Sequence, residues 1–151
     1  MSNVERSIEV AVPLATAYDE WTRFEAYPQF MEGVREVRQT DLTHLHWRAS
    51  VGGREKEWDV EIVELVPDEM IAWRSVDGPR NDGIVTFDPV GEARTRVTMR
   101  LDYEAQGVFE KMARLMGVVS SRMEGDLGRF KRLVERDAEV GAWRSAIRGP
   151  E

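Results

Sequence analysis

The 151-residue chain carries 28 acidic against 21 basic residues, a formal net charge of −7, two histidines and no cysteine. That length suits one domain with one core. The acidic balance argues against nucleic acid, whose phosphates need a clustered excess of Lys and Arg, and against general adhesion to anionic lipid. Without cysteine there is no disulfide and no thiol nucleophile, and two histidines leave too few ligands for a zinc site. Residues Met1 to Arg6 lack the basic-then-apolar order of a signal peptide, and no apolar run reaches bilayer-spanning length, so a cytoplasmic protein with no integral membrane segment is expected.

Taken in chain order, Asn3 to Val12 reads as a strand, with Val4, Ile8, Val10 and Val12 on one side at period two and Arg6 sharing their parity. Pro13 ends it. Leu14 to Arg23 then reads as a short helix with Ala17, Tyr18 and Trp21 on one face. A second short helical piece, Phe24 to Met31, holds Pro28 and the rings of Phe24, Tyr27 and Phe30. After Gly33 the period changes to two. A faint strand pattern at Val34 to Thr40 leads into five clearer ones: Thr43 to Val51, Arg54 to Val66, Glu69 to Val76, Gly83 to Asp88 and Thr95 to Tyr103. In the first of these Leu45, Trp47, Ala49 and Val51 oppose His44, His46, Arg48 and Ser50; in the second Trp58, Val60 and Ile62 oppose Glu57, Asp59 and Glu61. Gly52-Gly53, Pro67-Asp68, Asp77-Gly78-Pro79 and Asn81-Asp82-Gly83 supply short turns, which predicts a meander of antiparallel neighbours. Pairing in that order sets Glu57, Asp59 and Glu61 between Arg48 and Arg74, marking the solvent side and leaving the tryptophans inside.

The final element is a long helix. Phe109, Met112, Met116, Val119, Met123, Leu127, Phe130 and Val134 recur at steps of three or four between Val108 and Arg136, a span of about 43 Å at about 1.5 Å per residue. Its other face, with Glu110, Lys111, Arg114, Arg122, Asp126, Arg129 and Arg132, is expected to face water. Residues 1–136 thus form the domain. The tail 137–151, where Ala142, Trp143, Ala146 and Ile147 have the spacing of a small amphipathic helix, is expected to fray or be disordered.

Several stretches together resemble the START/Bet v 1-like (SRPBCC) superfamily and, within it, the bacterial polyketide cyclase/dehydrase and lipid-transport group. They are Ser7-Ile8-Glu9-Val10 before Pro13, Ala17-Tyr18-Asp19-Glu20-Trp21, Phe24 to Met31, Trp58 to Val66, Ile71-Ala72-Trp73-Arg74-Ser75 before Gly78, and Gly125 to Lys131. The resemblance spans residues 3–136 and implies an α+β helix-grip fold. In that fold a seven-stranded antiparallel sheet wraps the C-terminal helix, two short helices follow the first strand, and a ligand chamber lies between sheet and helix.

Candidate wall residues are Trp21, Phe24, Phe30, Trp47, Trp58, Trp73, Phe87, Met99, Tyr103, Met112, Met116 and Met123, flat rings with adaptable thioethers that suit an apolar ligand of variable shape. Periodicity alone favours an ordinary packed core; the chamber is what the resemblance implies. Arg6, Glu64, Ser75 and Thr86 are the candidate polar groups, Glu64 because it shares the parity of Trp58, Val60 and Ile62. His44 and His46 fall on the outward face with no third ligand, so neither a metal nor another cofactor is expected, and Ser75 and Thr86 lack a base partner for nucleophilic catalysis. The expected function is binding or carriage of a small hydrophobic molecule such as a lipid, isoprenoid quinone or polyketide. Entry would run between Phe24 to Met31 and the turn Asp77 to Asn81. The alternatives are a polyketide aromatase/cyclase that works largely by positioning, and a protein with a filled chamber that acts through its surface.

Overall fold

In the computed structural model residues 2–51, 53–76, 81–103 and 109–148 are described, with side chains described at all of these except 2, 51, 81, 103, 109–117 and 144–148. The chain runs β1 (Ser2–Val10), α1 (Leu14–Trp21), a 3-10 helix (Phe24–Gln29), β2 (Val34–Gln39), β3 (His44–Val51), β4 (Arg54–Val66), β5 (Met70–Ser75), β6 (Asn81–Gly91), β7 (Arg94–Tyr103) and α2 (Phe109–Arg148). All seven strands form one antiparallel sheet in the order β1-β7-β6-β5-β4-β3-β2. Strands β2 to β7 are a meander, and β1 closes against β7. The two short helices therefore carry the chain from one edge of the sheet to the other. This is the α+β helix-grip architecture expected from the sequence.

The alternation of side chains decides which face is which. Val4, Val10, Leu45, Ala49, Val60, Ile71, Val85, Phe87, Val97 and Met99 are buried on the concave face. On the convex face Arg48 opposes Glu57, His46 opposes Asp59, and Glu61 meets both His44 and Arg74. The β3–β4 turn places Gly53 at φ +79 and the β4–β5 turn places Asp68 at φ +63, conformations suited to tight reversals. The turn at 77–80 lies outside the described residues.

One irregularity changes the reading of β4. Ile62 pairs with Trp73 but Glu64 pairs with Ala72, so Val63 is an extra residue and the ladder slips by one at that point. A bulge inverts the facing of everything beyond it. Glu64, expected inside, is exposed on the convex face beside Ala72, and Leu65 takes the place opposite the buried Ile71.

The helix α2 is 40 residues, about 60 Å at about 1.5 Å per residue, and continues past Arg136 to Arg148. Beyond that boundary Val140 and Trp143 are exposed. Among its described side chains the grip on the fold is concentrated between positions 123 and 135. Met123, Leu127, Phe130, Leu133 and Val134 are buried there, Phe130 with its ring 4.7 Å from Trp21 and 5.3 Å from Phe30. Polar ties fasten the same stretch. Arg6 pairs with Glu124 at 3.0 Å, the Ala11 amide donates to Glu135 at 2.8 Å, Lys131 Nζ donates to the Glu9 carbonyl at 3.1 Å, and Arg129 Nε donates to the Phe30 carbonyl at 2.8 Å. Toward the N-terminal side of that stretch the burial fades, with Val119 partly buried and Val118 63% exposed. Among the described residues no helix is long and apolar enough to cross a membrane.

Candidate functional site

Where α2 loses its solid contact, the sheet and helix stand apart around a hollow of about 330 Å³. Its floor is the concave face of the meander: Leu45, Trp47 and Ala49 from β3, Trp58, Val60 and Ile62 from β4, Ile71 and Trp73 from β5, Met99 and Leu101 from β7. Trp21, Phe24, Tyr27 and Met31 close one end, and α2 roofs it with Val118, Val119, Arg122, Met123 and Asp126. A wider surface depression lies between the 3-10 helix and the β2–β3 turn, but it opens to solvent beside the fully exposed Leu42 and lacks the apolar enclosure of the hollow.

The indoles are set by the sheet itself. Trp47 and Trp58 are cross-strand partners and stack at 5.8 Å with their planes 15° apart, while Tyr27 leans on Trp47 at 5.5 Å. Trp73 faces Gly83 across the β5–β6 ladder. A Cβ at position 83 would stand 2.2 Å from the ring carbon Cζ2, so the indole lies flat where only glycine leaves room. Tyr27 is buried and its hydroxyl donates to the Trp21 carbonyl at 2.8 Å; burial pushes its ionisation far upward, so it acts as a neutral strut. Trp47 Nε1 is different. It is buried and has no acceptor among the described residues, leaving a donor without a partner in the floor of the hollow.

Glu32, Arg122 and Asp126 are the charged residues that border this apolar space, and the two from α2 come from the helix face expected to be wet. Asp126 is 8% exposed; its Oδ1 accepts from the Glu32 amide at 3.0 Å and from Arg129 Nη2. Burial raises its pKa, and the Glu32 amide, Arg129 and Arg122 oppose that rise. Arg122 lies one helical turn earlier. Its Nη2 stands 3.0 Å from where a Cβ on Gly33 would be, and Gly33 has φ +81, so the guanidinium rests on backbone that only glycine keeps clear. Position 126 is three residues from Met123 and four from Phe130, which puts it on the buried stripe by the helical period, and 122 borders that stripe. The signal was in the spacing, masked by the residues' charge.

Of the residues singled out from sequence, the structure brings Trp21, Phe24, Trp47, Trp58, Trp73, Met99 and Met123 to the hollow. Phe30 and Phe87 do not line it. Phe30 packs into the solid core against Trp21 at 5.5 Å, and Phe87 edges onto Tyr18 at 5.5 Å. The side chains of Tyr103, Met112 and Met116 lie outside the described residues. Arg6 points along the concave side but is spent on Glu124. Glu64 is displaced outward by the bulge at Val63. Thr86 alternates with the buried Val85 and Phe87 and so lies on the convex face between Met70 and Thr98, contrary to expectation. Ser75 opposes Val60 at the end of β5 and is half-buried, its amide donating to Asp82 Oδ1 at 3.2 Å, away from the hollow's lining. His44 and His46 lie on the convex face. His46 sits between Asp59 at 2.8 Å and Glu57 at 3.0 Å, and these hydrogen bonds raise its pKa. Among the described residues no three His, Asp or Glu side chains are arranged to hold a metal.

Residues 10–132 match the profile of the family described as polyketide cyclase / dehydrase and lipid transport. An uncharacterised 17.2 kDa protein of Streptomyces lincolnensis, from the melC2–rnhH intergenic region, is 46% identical over 149 residues, covering 97% of this chain and 99% of its own. Among solved structures, the Zhui aromatase/cyclase from a Streptomyces species superposes with a TM-score of 0.79 at 17% identity over 91% of this chain and 95% of that one. A START superfamily protein from Mycobacterium smegmatis gives 0.73 at 17% identity over 87% and 98%. At such identities the two superpositions speak to the fold alone.

Proposed function

The chain belongs to the polyketide cyclase / dehydrase and lipid transport family, and from that premise we propose that it binds or carries a small hydrophobic molecule in the hollow between sheet and α2. A lipid, an isoprenoid quinone or a polyketide fits the reading, in a cytoplasmic setting. The observation that carries it is the enclosure of about 330 Å³ floored by the stacked Trp47–Trp58 pair, with the Trp47 indole donor left unpaired. Flat aromatic walls favour a flat or unsaturated ligand. Burial of about 300 Å² of apolar ligand surface contributes roughly 7 kcal/mol at about 25 cal/mol per Å², before ordering costs. Native mass spectrometry of the purified protein, with extraction and identification of any co-purifying compound, tests the proposal directly. Titration with palmitate, a short-chain menaquinone and an aromatic polyketide supplements it. Quenched tryptophan fluorescence and raised thermal stability support the reading; an empty protein that responds to none of the three refutes it.

A second reading, aromatase/cyclase-like chemistry, draws on one observation. Arg122 and Asp126 are ionisable groups at the edge of the hollow, and the pKa of Asp126 is raised by burial. A carboxyl group of that kind can pass a proton during enolisation and dehydration while the walls fold the chain. Turnover of a reactive polyketone that is lost in Asp126→Asn, with binding retained, favours this reading over simple carriage.

A further inference from the structure

Resting on the binding proposal and going beyond it, we infer that the guest is a monoanionic amphiphile. Its apolar, preferably planar, body lies on the indole floor and its carboxylate docks on Arg122.

The argument begins with charge. Three charged side chains of α2 meet at the loop 30–33, and two of them satisfy each other. Asp126 Oδ1 takes the Glu32 amide and Arg129, and Arg129 in turn donates to the Phe30 carbonyl. Arg122 is left over. Among the described residues it makes no hydrogen bond and no ion pair, and acts only at a distance, on Asp126 one turn away. A guanidinium stays charged at every physiological pH. One that lines a mostly apolar hollow without a fixed counter-ion is a docking point for an anion, and its planar fork matches the two oxygens of a carboxylate.

Geometry places the indole floor nearby. Arg122 rests against Gly33, whose carbonyl accepts from the Ser50 amide at 2.7 Å, and Ala49 pairs with Val34. Trp47 is two residues along β3 from Ala49 on the same concave face, about 7 Å at the strand rise. The Trp47 indole and the unpaired guanidinium thus occupy the same β2–β3 end of the hollow, and the apolar walls of β4, β5 and β7 extend away from them. A guest with oxygens at one end and a ring system at the other matches that polarity. Charge also limits the guest to a single negative charge. The Asp126 carboxylate lies in the same lining one helical turn from Arg122, so a dianion such as a phosphate monoester would bring its second charge against it.

The test compares anthraquinone carboxylate with its uncharged carboxamide by isothermal titration calorimetry at neutral pH, in the wild-type protein, Arg122→Gln and Arg122→Lys. A hydrogen-bonded pair with a charged group predicts a preference for the acid of about tenfold to a hundredfold in the wild type. In Arg122→Gln the acid binds about as the amide does, and Arg122→Lys recovers part of the preference as a point charge without the fork. Equal affinities in the wild type, or a preference that survives in Arg122→Gln, overturn the inference and leave the binding proposal standing. If neither compound binds the wild type, the inference falls, and the native mass spectrometry and three-ligand titration decide the binding proposal separately. If Arg122→Gln fails to fold, the wild-type comparison alone decides.

Discussion

Placing a methyl group at position 83 probes the tightest contact in the wall of the hollow. In Gly83→Ala the new Cβ would lie 2.2, 2.6 and 2.8 Å from three ring carbons of Trp73. Ordinary carbon contacts begin at about 3.5 Å, so the indole must retreat by about 1 Å or more or the β5–β6 ladder must open. Glycine to alanine in a strand would otherwise stabilise by about 0.4–1 kcal/mol through the unfolded chain. Overpacking of a rigid ring costs about 1–3 kcal/mol, so the overlap decides the sign and a net loss of about 1–2 kcal/mol is expected. For a chain of this length each kcal/mol lowers Tm by about 2–4 °C. The decisive assay is a double-mutant cycle by urea denaturation, with Trp73→Leu as the partner. Once the ring is gone the methyl group has space, and Gly83→Ala becomes neutral or stabilising in that background. An equal cost with and without Trp73 would refute the steric account and put the cause in the backbone of β6.

Three further outcomes follow from the same geometry. Phe130→Ala removes a fully buried ring from contact with Trp21 and Phe30, and is expected to cost about 3–5 kcal/mol in chemical denaturation; a loss under 1 kcal/mol would mean that α2 is not anchored there. His46 has its pKa raised in the folded state by Glu57 and Asp59, so its stabilising contribution is complete below the unfolded pKa of about 6.5 and is lost as pH rises through the folded value. Denaturant midpoints measured on both sides of neutrality should therefore diverge between wild type and His46→Gln toward acid pH and converge toward alkaline pH. Trp58→Ala should weaken uptake of any bound guest, whereas Glu64→Gln and His44→Ala should leave it unchanged; a comparable loss in all three would show that the facing of β4 is misassigned.

Alternation and turn chemistry carried most of the architecture in plain sight. The opposition of Trp47 to His46 and of Trp58 to Glu57 is sufficient to set the concave and convex faces, because neighbouring strands joined by short turns have little freedom of register. Counting by twos fails only where the ladder gains a residue. Nothing local distinguishes Val63 from the valines around it, and the extra residue there reverses Glu64. The charged pair at 122 and 126 was hidden for another reason. Assigning charge to water is a sound average, yet these two side chains sit on or beside the apolar stripe, and what pulls them inward lies far off in sequence: the Glu32 amide, the Gly33 backbone and, through Arg129, the Phe30 carbonyl. Periodicity within one helix carries no record of such distant partners. Whether aromatic rings enclose space or fill it is likewise a property of how two elements diverge, which is why Phe30 and Phe87 ended in solid core and Trp47 and Trp58 did not.

The long helix is held at mid-span, by the buried run from Met123 to Val134 and its polar fastenings, while Val118 on one side and Trp143 on the other stand largely in solvent. Amide protons in the clamp are expected to exchange only when the whole fold opens, whereas those near the exposed Val118 and Trp143 are expected to exchange through smaller fluctuations. One continuous helix therefore carries a gradient of mechanical security, and the hollow lies beneath the point where that security begins to fall.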